Sequence, residues 1–190
     1  MGEHPRLRPM LFEEFLAFAE RQPDGEKWEL IDGVPRVSPT PTDFHQTILL
    51  NLASALMIAK GERNAPWLPL LGITTRVPAH PNRAPVPDLM VKADPATGAA
   101  HSEEALVLFE ILSRSNTRKD REWRWDSYRQ VSGAEHYVTV DQKRVAAVRF
   151  DRARDWEPDL VNDLSRDLVL PALDVSIPLA AIYRYTPFGA

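Results

Sequence analysis

The chain has 190 residues, 44% hydrophobic and 26% charged, close to ordinary globular averages, which excludes a disordered or fibrous class. It carries no cysteine, so disulfides, thiolate metal centres and cysteine nucleophiles are excluded, and any metal would have to be held by oxygen or imidazole. A formal net charge of -4 argues against indiscriminate high-affinity binding to nucleic acid, which draws on many Lys and Arg contacts to phosphates, while leaving room for a local basic groove.

The length suits one domain, since domains usually run roughly 100 to 200 residues. Within it the elements below divide the chain into an N-terminal helix and hairpin (1–40), a core (41–141) and C-terminal strands with a helix (142–190). The opening MGEHPRLRPM is polar, and no run approaches the roughly 20 apolar residues of a membrane span. A cytoplasmic protein with no membrane partner is expected.

In chain order, Leu11, Phe12, Phe15, Leu16 and Ala19 recur at helical spacing within MLFEEFLAFAERQ, ahead of Pro23, Asp24 and Gly25. KWELIDGVPRVS follows as a β-hairpin around Asp32-Gly33, with Glu29 on its first strand. Thr42 or Asp43 caps a second helix, which carries Phe44, Ile48, Leu52, Leu56 and Ala59 and is expected to end at Gly61. WLPLLGITTRVP reads as strand despite its proline. VPDLMVK is another strand, entered at Asp88, and the loop ADPATGAAHSEE separates it from ALVLFEIL. The last is apolar on both pleat faces except at Glu110, as in a central strand covered on both sides. A polar helix runs from Asn116 or Thr117 to Gly133, followed by the strand EHYVTVD, two further strands (RVAAVRF and a run within RDLVLPALDVSI), and a short helix from about Pro178. The core order of helix, three strands, helix and strand (αβββαβ) predicts an α/β (α+β) fold with a mixed central sheet flanked by helices.

Two acids stand out in this pattern. An ionised Glu110 inside a low-dielectric strand costs several kcal/mol unless a cation or several donors compensate it. A buried ion pair, a neutral carboxyl or a metal would each satisfy it. Asp88 alone is explained as an acid in a turn after Pro87. Together, two adjacent strands with one carboxylate each can bring four oxygens to a point, which suits Mg²⁺, a hard ion able to activate water and neutralise phosphoryl charge. On the helix after Glu110, Arg124 shares a face with Arg121, Trp125, Tyr128 and Val131, so its guanidinium requires an anion, an internal carboxylate or a substrate phosphate, unless it snorkels to water. Arg114, Arg118, Lys119 and Arg121 make this the densest basic stretch, suited to phosphate contacts or, with Asp120, Glu122 and Asp126 interleaved, to a solvated face.

The order WELIDG, His45 opening a helix, PD, FEILS, DREWRWDSY and EHYVTVD resembles the Uma-type restriction endonuclease family over most of the chain. The resemblance implies the restriction-endonuclease-like fold and a PD-(D/E)xK metal site holding Mg²⁺ or Mn²⁺. It makes Asp88 and Glu110 the metal-binding acids, with the Ile111 carbonyl a further ligand, and Glu29 and His45 accompanying residues. Leu112 stands where the motif lysine is expected two residues after the second acid, and Arg124 stands where related chains carry a lysine on the following helix. Arginine stays protonated, so it can stabilise charge but cannot act as a general base. The expectation is a metal-dependent endonuclease on DNA, double-stranded by preference, with a homodimer as its candidate assembly. The alternatives are a nuclease-fold module that binds nucleic acid without turnover and a metal-free protein with buried ion pairs.

Overall fold

The computed structural model describes residues 8–93, 96–113 and 116–189. Helix α1 (Phe12–Ala19) leads into the hairpin of β1 (Trp28–Ile31) and β2 (Val34–Val37). The turn residues Asp32 and Gly33 both have positive φ, 49° and 86°, the geometry that matches the twist of a two-residue hairpin. Gly33 is doubly constrained, because a Cβ there would lie 2.3 Å from Cβ of Pro9. Leu30 and Ala84 exchange backbone hydrogen bonds of 3.1 and 3.0 Å, and Phe12, Phe15, Leu30 and Ala84 bury together. The hairpin is thereby fastened to the segment that enters the central sheet.

Helix α2 (Asp43–Arg63) starts where expected, with the Thr42 hydroxyl accepting from the His45 amide. It does not stop at Gly61. A lone glycine costs a helix only about 1 kcal/mol, and the chain leaves the helix at Asn64, whose left-handed conformation (φ 47°, ψ 44°) closes the end.

Next come β3 (Trp67–Leu71), β4 (Thr74–Thr75), β5 (Leu89–Ala93), β6 (His101–Ser102) and β7 (Val107–Leu112), then α3 (Arg118–Tyr128), β8 (His136–Asp141), β9 (Ala147–Asp151), β10 (Glu157–Val161), β11 (Asp167–Leu170), β12 (Val175–Pro178) and α4 (Leu179–Ile182). The principal sheet has six strands in the order β10-β9-β8-β7-β5-β3. Only β7 and β8 pair in parallel within it, and α3 supplies the crossover that such a pair requires. Strand β7 is central, as its apolar run predicts. Val107, Phe109 and Ile111 pack with Ile48, Leu52 and Leu56 of α2, while Leu108 points the other way, toward Tyr128 and Val131. Period-two alternation puts Glu110 on the α3 side with Leu108.

Three further expectations are corrected. Helix α3 ends at Tyr128 and residues up to Gly133 form turns. The segment RDLVLPALDVSI is a hairpin, β11 and β12, because Pro171 opens a short 3-10 turn between two strands. Strand β10 was not expected, since EPDLV lacks a clear apolar alternation. It is an edge strand, and its Pro158, like Pro69 in the opposite edge strand β3, is tolerated because an edge does not need every amide.

Candidate active site

The Asp88 amide donates to the Phe109 carbonyl at 3.1 Å, and Leu89 is registered with Phe109. The paired register stops at Leu89, and with its amide also bonded to the Phe109 carbonyl Asp88 stands at the end of the ladder, near enough to Glu110 for like charges to repel. The two acids are handled differently. Asp88 Oδ1 accepts from Lys27 Nζ at 3.0 Å, and Oδ2 lies 3.1 Å from His45 Nε2 and accepts from the Ile111 amide at 2.9 Å. Burial pushes this carboxyl up, but the His45 contact, the Lys27 charge and the Ile111 hydrogen bond together outweigh it and hold the group well below its ordinary value. For Glu110 burial wins. Arg124 and Lys27 oppose it, Asp88 and Glu29 reinforce it, and the carboxyl is pushed up to about 7.

Beside this pair, Arg124 grips Glu29 with two parallel hydrogen bonds, Nη1 to Oε1 at 2.8 Å and Nη2 to Oε2 at 2.7 Å, and shares Nη1 with Glu110 Oε1 at 2.8 Å. The Tyr128 hydroxyl donates to the same Glu110 oxygen at 2.5 Å. Glu29 also accepts from the Val86 amide at 2.9 Å. Both glutamates are buried and Arg124 is mostly covered, so the three side chains satisfy one another with little help from water. Burial works against the guanidinium charge, yet Glu110 and Glu29 hold Arg124 firmly protonated.

Asp88, Glu110, Ile111, Glu29, His45 and Arg124 therefore come together from five separate stretches of chain. The basic residues do not join them. Arg118, Lys119 and Arg121 are exposed on α3, Arg118 pairs with Glu122 at 2.7 Å, and Arg121 donates to the Asn116 carbonyl at 3.3 Å. Arg114 lies outside the described residues. Lys27 is the functional candidate that the motif search misses. A signal for it existed, since Lys27 and Glu29 lie two apart at a strand and so share a face.

Residues 12–180 match the family Uma2, whose description reads "Putative restriction endonuclease". The chain belongs to the Uma2 family. No curated protein matches it. A solved structure from Anabaena variabilis, titled a putative nuclease belonging to DUF820, superposes with a TM-score of 0.74 over 92% of this chain and 98% of that one, at 16% sequence identity, and shares its fold. Uma2 membership supports a nuclease-like role, and the mixed sheet flanked by helices agrees with the fold that the motif order implied.

Whether this Uma2 site suits a divalent metal is a question of donors. Among the described residues no three His, Cys, Asp or Glu side chains are grouped to hold a metal ion. Two neighbouring carboxyls remain, Asp88 and Glu110, and no described residue donates to the second oxygen of Glu110. The Ile111 amide points to Asp88, and extended backbone directs the carbonyl of the same residue to the same strand edge. Glu29, Asp88 and Glu110, when ionised, exceed the permanent cations Lys27 and Arg124 by one negative charge. Oxygen donors with a charge deficit fit Mg²⁺ or Mn²⁺, ions that bind through one or two carboxylates and complete their shell with water and substrate oxygens.

Proposed function

We propose that this Uma2 protein is a metal-dependent endonuclease that hydrolyses phosphodiester bonds in DNA, with Asp88, Glu110 and the Ile111 carbonyl holding Mg²⁺ or Mn²⁺. One observation carries the reading: two neighbouring carboxyls held differently, Asp88 bonded through both oxygens and Glu110 with one oxygen left without a donor among the described residues. The bound ion would supply a more acidic water and neutralise charge at phosphorus.

The protein's own residues divide the remaining work. Asp88 is kept ionised by Lys27, His45 and the Ile111 amide, so it offers a permanent negative donor. Arg124 cannot serve as a base, and its contacts to Glu29 and Glu110 make it the part that aligns both acids. Lys27, about a third exposed and touching Asp88, is the cation able to turn toward a phosphate. His45, whose Nε2 meets Asp88, fixes that carboxylate from the side of α2. Exposed Arg118, Lys119 and Arg121 are suited to backbone phosphates farther along a duplex. A homodimer would serve cutting of both strands.

A second reading is a nuclease-fold module that binds nucleic acid without turnover. It is favoured by Leu112 in place of a lysine and by an Arg124 already engaged by two glutamates. Supercoiled plasmid incubated with Mg²⁺ or Mn²⁺ tests the choice. The endonuclease nicks it, and Asp88→Asn abolishes nicking while the circular dichroism spectrum is unchanged. Cleavage that persists in Asp88→Asn contradicts the assignment, and salt-dependent binding without cleavage in either metal establishes the second reading.

A further inference from the structure

Helix α3 and strands β7, β8 and β9 line an open pocket of about 510 Å³. This falls within the range of roughly 300 to 1,000 Å³ typical of small-molecule sites. Its walls are aromatic. Trp125, Tyr137 and Phe150 line it, and the Tyr137 and Phe150 rings are stacked, with centroids 5.6 Å apart and planes 16° apart. Leu112 lines it too, so the position two residues beyond Glu110 gives an apolar wall where the motif has a lysine.

The cavity is not purely apolar. Thr139 contributes a hydroxyl to the lining. At the rim, Arg121 and Arg144 are balanced by Glu122 and Asp141, which disfavours a simple anion and offers both donors and acceptors. The cavity is also close to the acids: the Tyr137 ring centroid lies 5.2 Å from that of Tyr128, whose hydroxyl is bonded to Glu110.

A flat ring with polar edges answers all of these features. We propose that the cavity receives one unpaired nucleobase of the nucleic acid whose phosphate lies at Asp88 and Glu110. The inference rests on the nuclease reading for the location of the phosphate, and on the cavity alone for the base. Base stacking on aromatic side chains is worth about 1–3 kcal/mol, comparable with the few kcal/mol needed to take a base out of a duplex. A base already unpaired, in a mismatch, an overhang or a single strand, is therefore the preferred occupant.

Saturation-transfer NMR on the full chain without metal, using the four free deoxynucleosides, separates the pocket from the chemistry. The pocket predicts transfer to base protons in excess of deoxyribose protons, and its loss in Leu112→Trp, which fills the space. Thr139→Val replaces the lining hydroxyl by a methyl group of similar size. It leaves the circular dichroism spectrum unchanged and weakens base binding about threefold to tenfold, the worth of one neutral hydrogen bond. Absence of transfer from all four nucleosides at millimolar concentration overturns the pocket, as does transfer that both variants leave unchanged. Plasmid cleavage without nucleoside binding removes the pocket and leaves the nuclease standing. Nucleoside binding without cleavage in any metal upholds the pocket and retires the hydrolysis.

Discussion

Replacing Glu110 by Gln keeps the shape of the side chain and removes its titration. Burial first, then Asp88 and Glu29, hold this carboxyl at about 7 against an ordinary 4.5. The folded chain therefore keeps a proton that the unfolded chain releases near 4.5. The resulting stabilisation is complete below that pH and is lost as pH rises through about 7. A displacement of this size corresponds to roughly 3 kcal/mol, at about 1.4 kcal/mol per pKa unit. Asp88 titrates well below its ordinary value, so its ionisation does not change in this window. Urea denaturation of the wild type and Glu110→Gln at intervals from pH 4 to pH 8 measures the effect. The stability difference should move in favour of the variant by about 3 kcal/mol across the range. A difference that stays constant within about 0.5 kcal/mol would mean that Glu110 is not held protonated by its surroundings.

Arg124→Ala leaves Glu29 and Glu110 buried without their shared cation and should cost about 3–5 kcal/mol in denaturant unfolding, whereas a loss below about 1 kcal/mol would show the ion pairs to be weak or solvated. Arg124→Lys should recover only part of that loss, because an ammonium cannot reproduce the fork on Glu29. Gly33→Ala meets both a positive φ and the Pro9 side chain, so a fall in melting temperature equivalent to more than about 1 kcal/mol is expected; an unchanged melt contradicts the hairpin geometry. Lys27→Met should reduce plasmid nicking at least tenfold, by analogy with the ≈ 1.4 kcal/mol that one charged contact readily supplies, with circular dichroism unaltered. Wild-type nicking in Lys27→Met would remove this residue from the chemistry.

Much of this site was legible in the sequence because its costliest member announced itself. Glu110 interrupts an apolar run, and a carboxylate in a central strand needs explaining wherever it is found. Asp88 gained meaning only from Glu110, through the pairing of β5 with β7 that brings the end of one strand to the other and that a sequence does not print. Arg124 was legible as an arginine on a packed helix face, while the choice between internal carboxylate and phosphate required coordinates, which give the carboxylates. Lys27 was hidden because lysines beside hairpins are usually solvated, and only the fastening of β1 to Ala84 brings it to Asp88. The cavity was invisible for a similar reason. Trp125, Tyr137 and Phe150 are ordinary core residues in sequence, and the gap between them arises from how α3 lies on the sheet. In the fold, the central strand and both long helices followed from periodicity and caps. The edge strand β10 did not, because edges owe less to burial than to pairing.

The most direct test of the proposed metal site is a crystal soaked in Mn²⁺ and measured for anomalous scattering. The account predicts a peak between the carboxylates of Asp88 and Glu110, with Lys27 drawn off Asp88 Oδ1. A site that stays empty at saturating Mn²⁺, with Lys27 still bonded to Asp88, would contradict it.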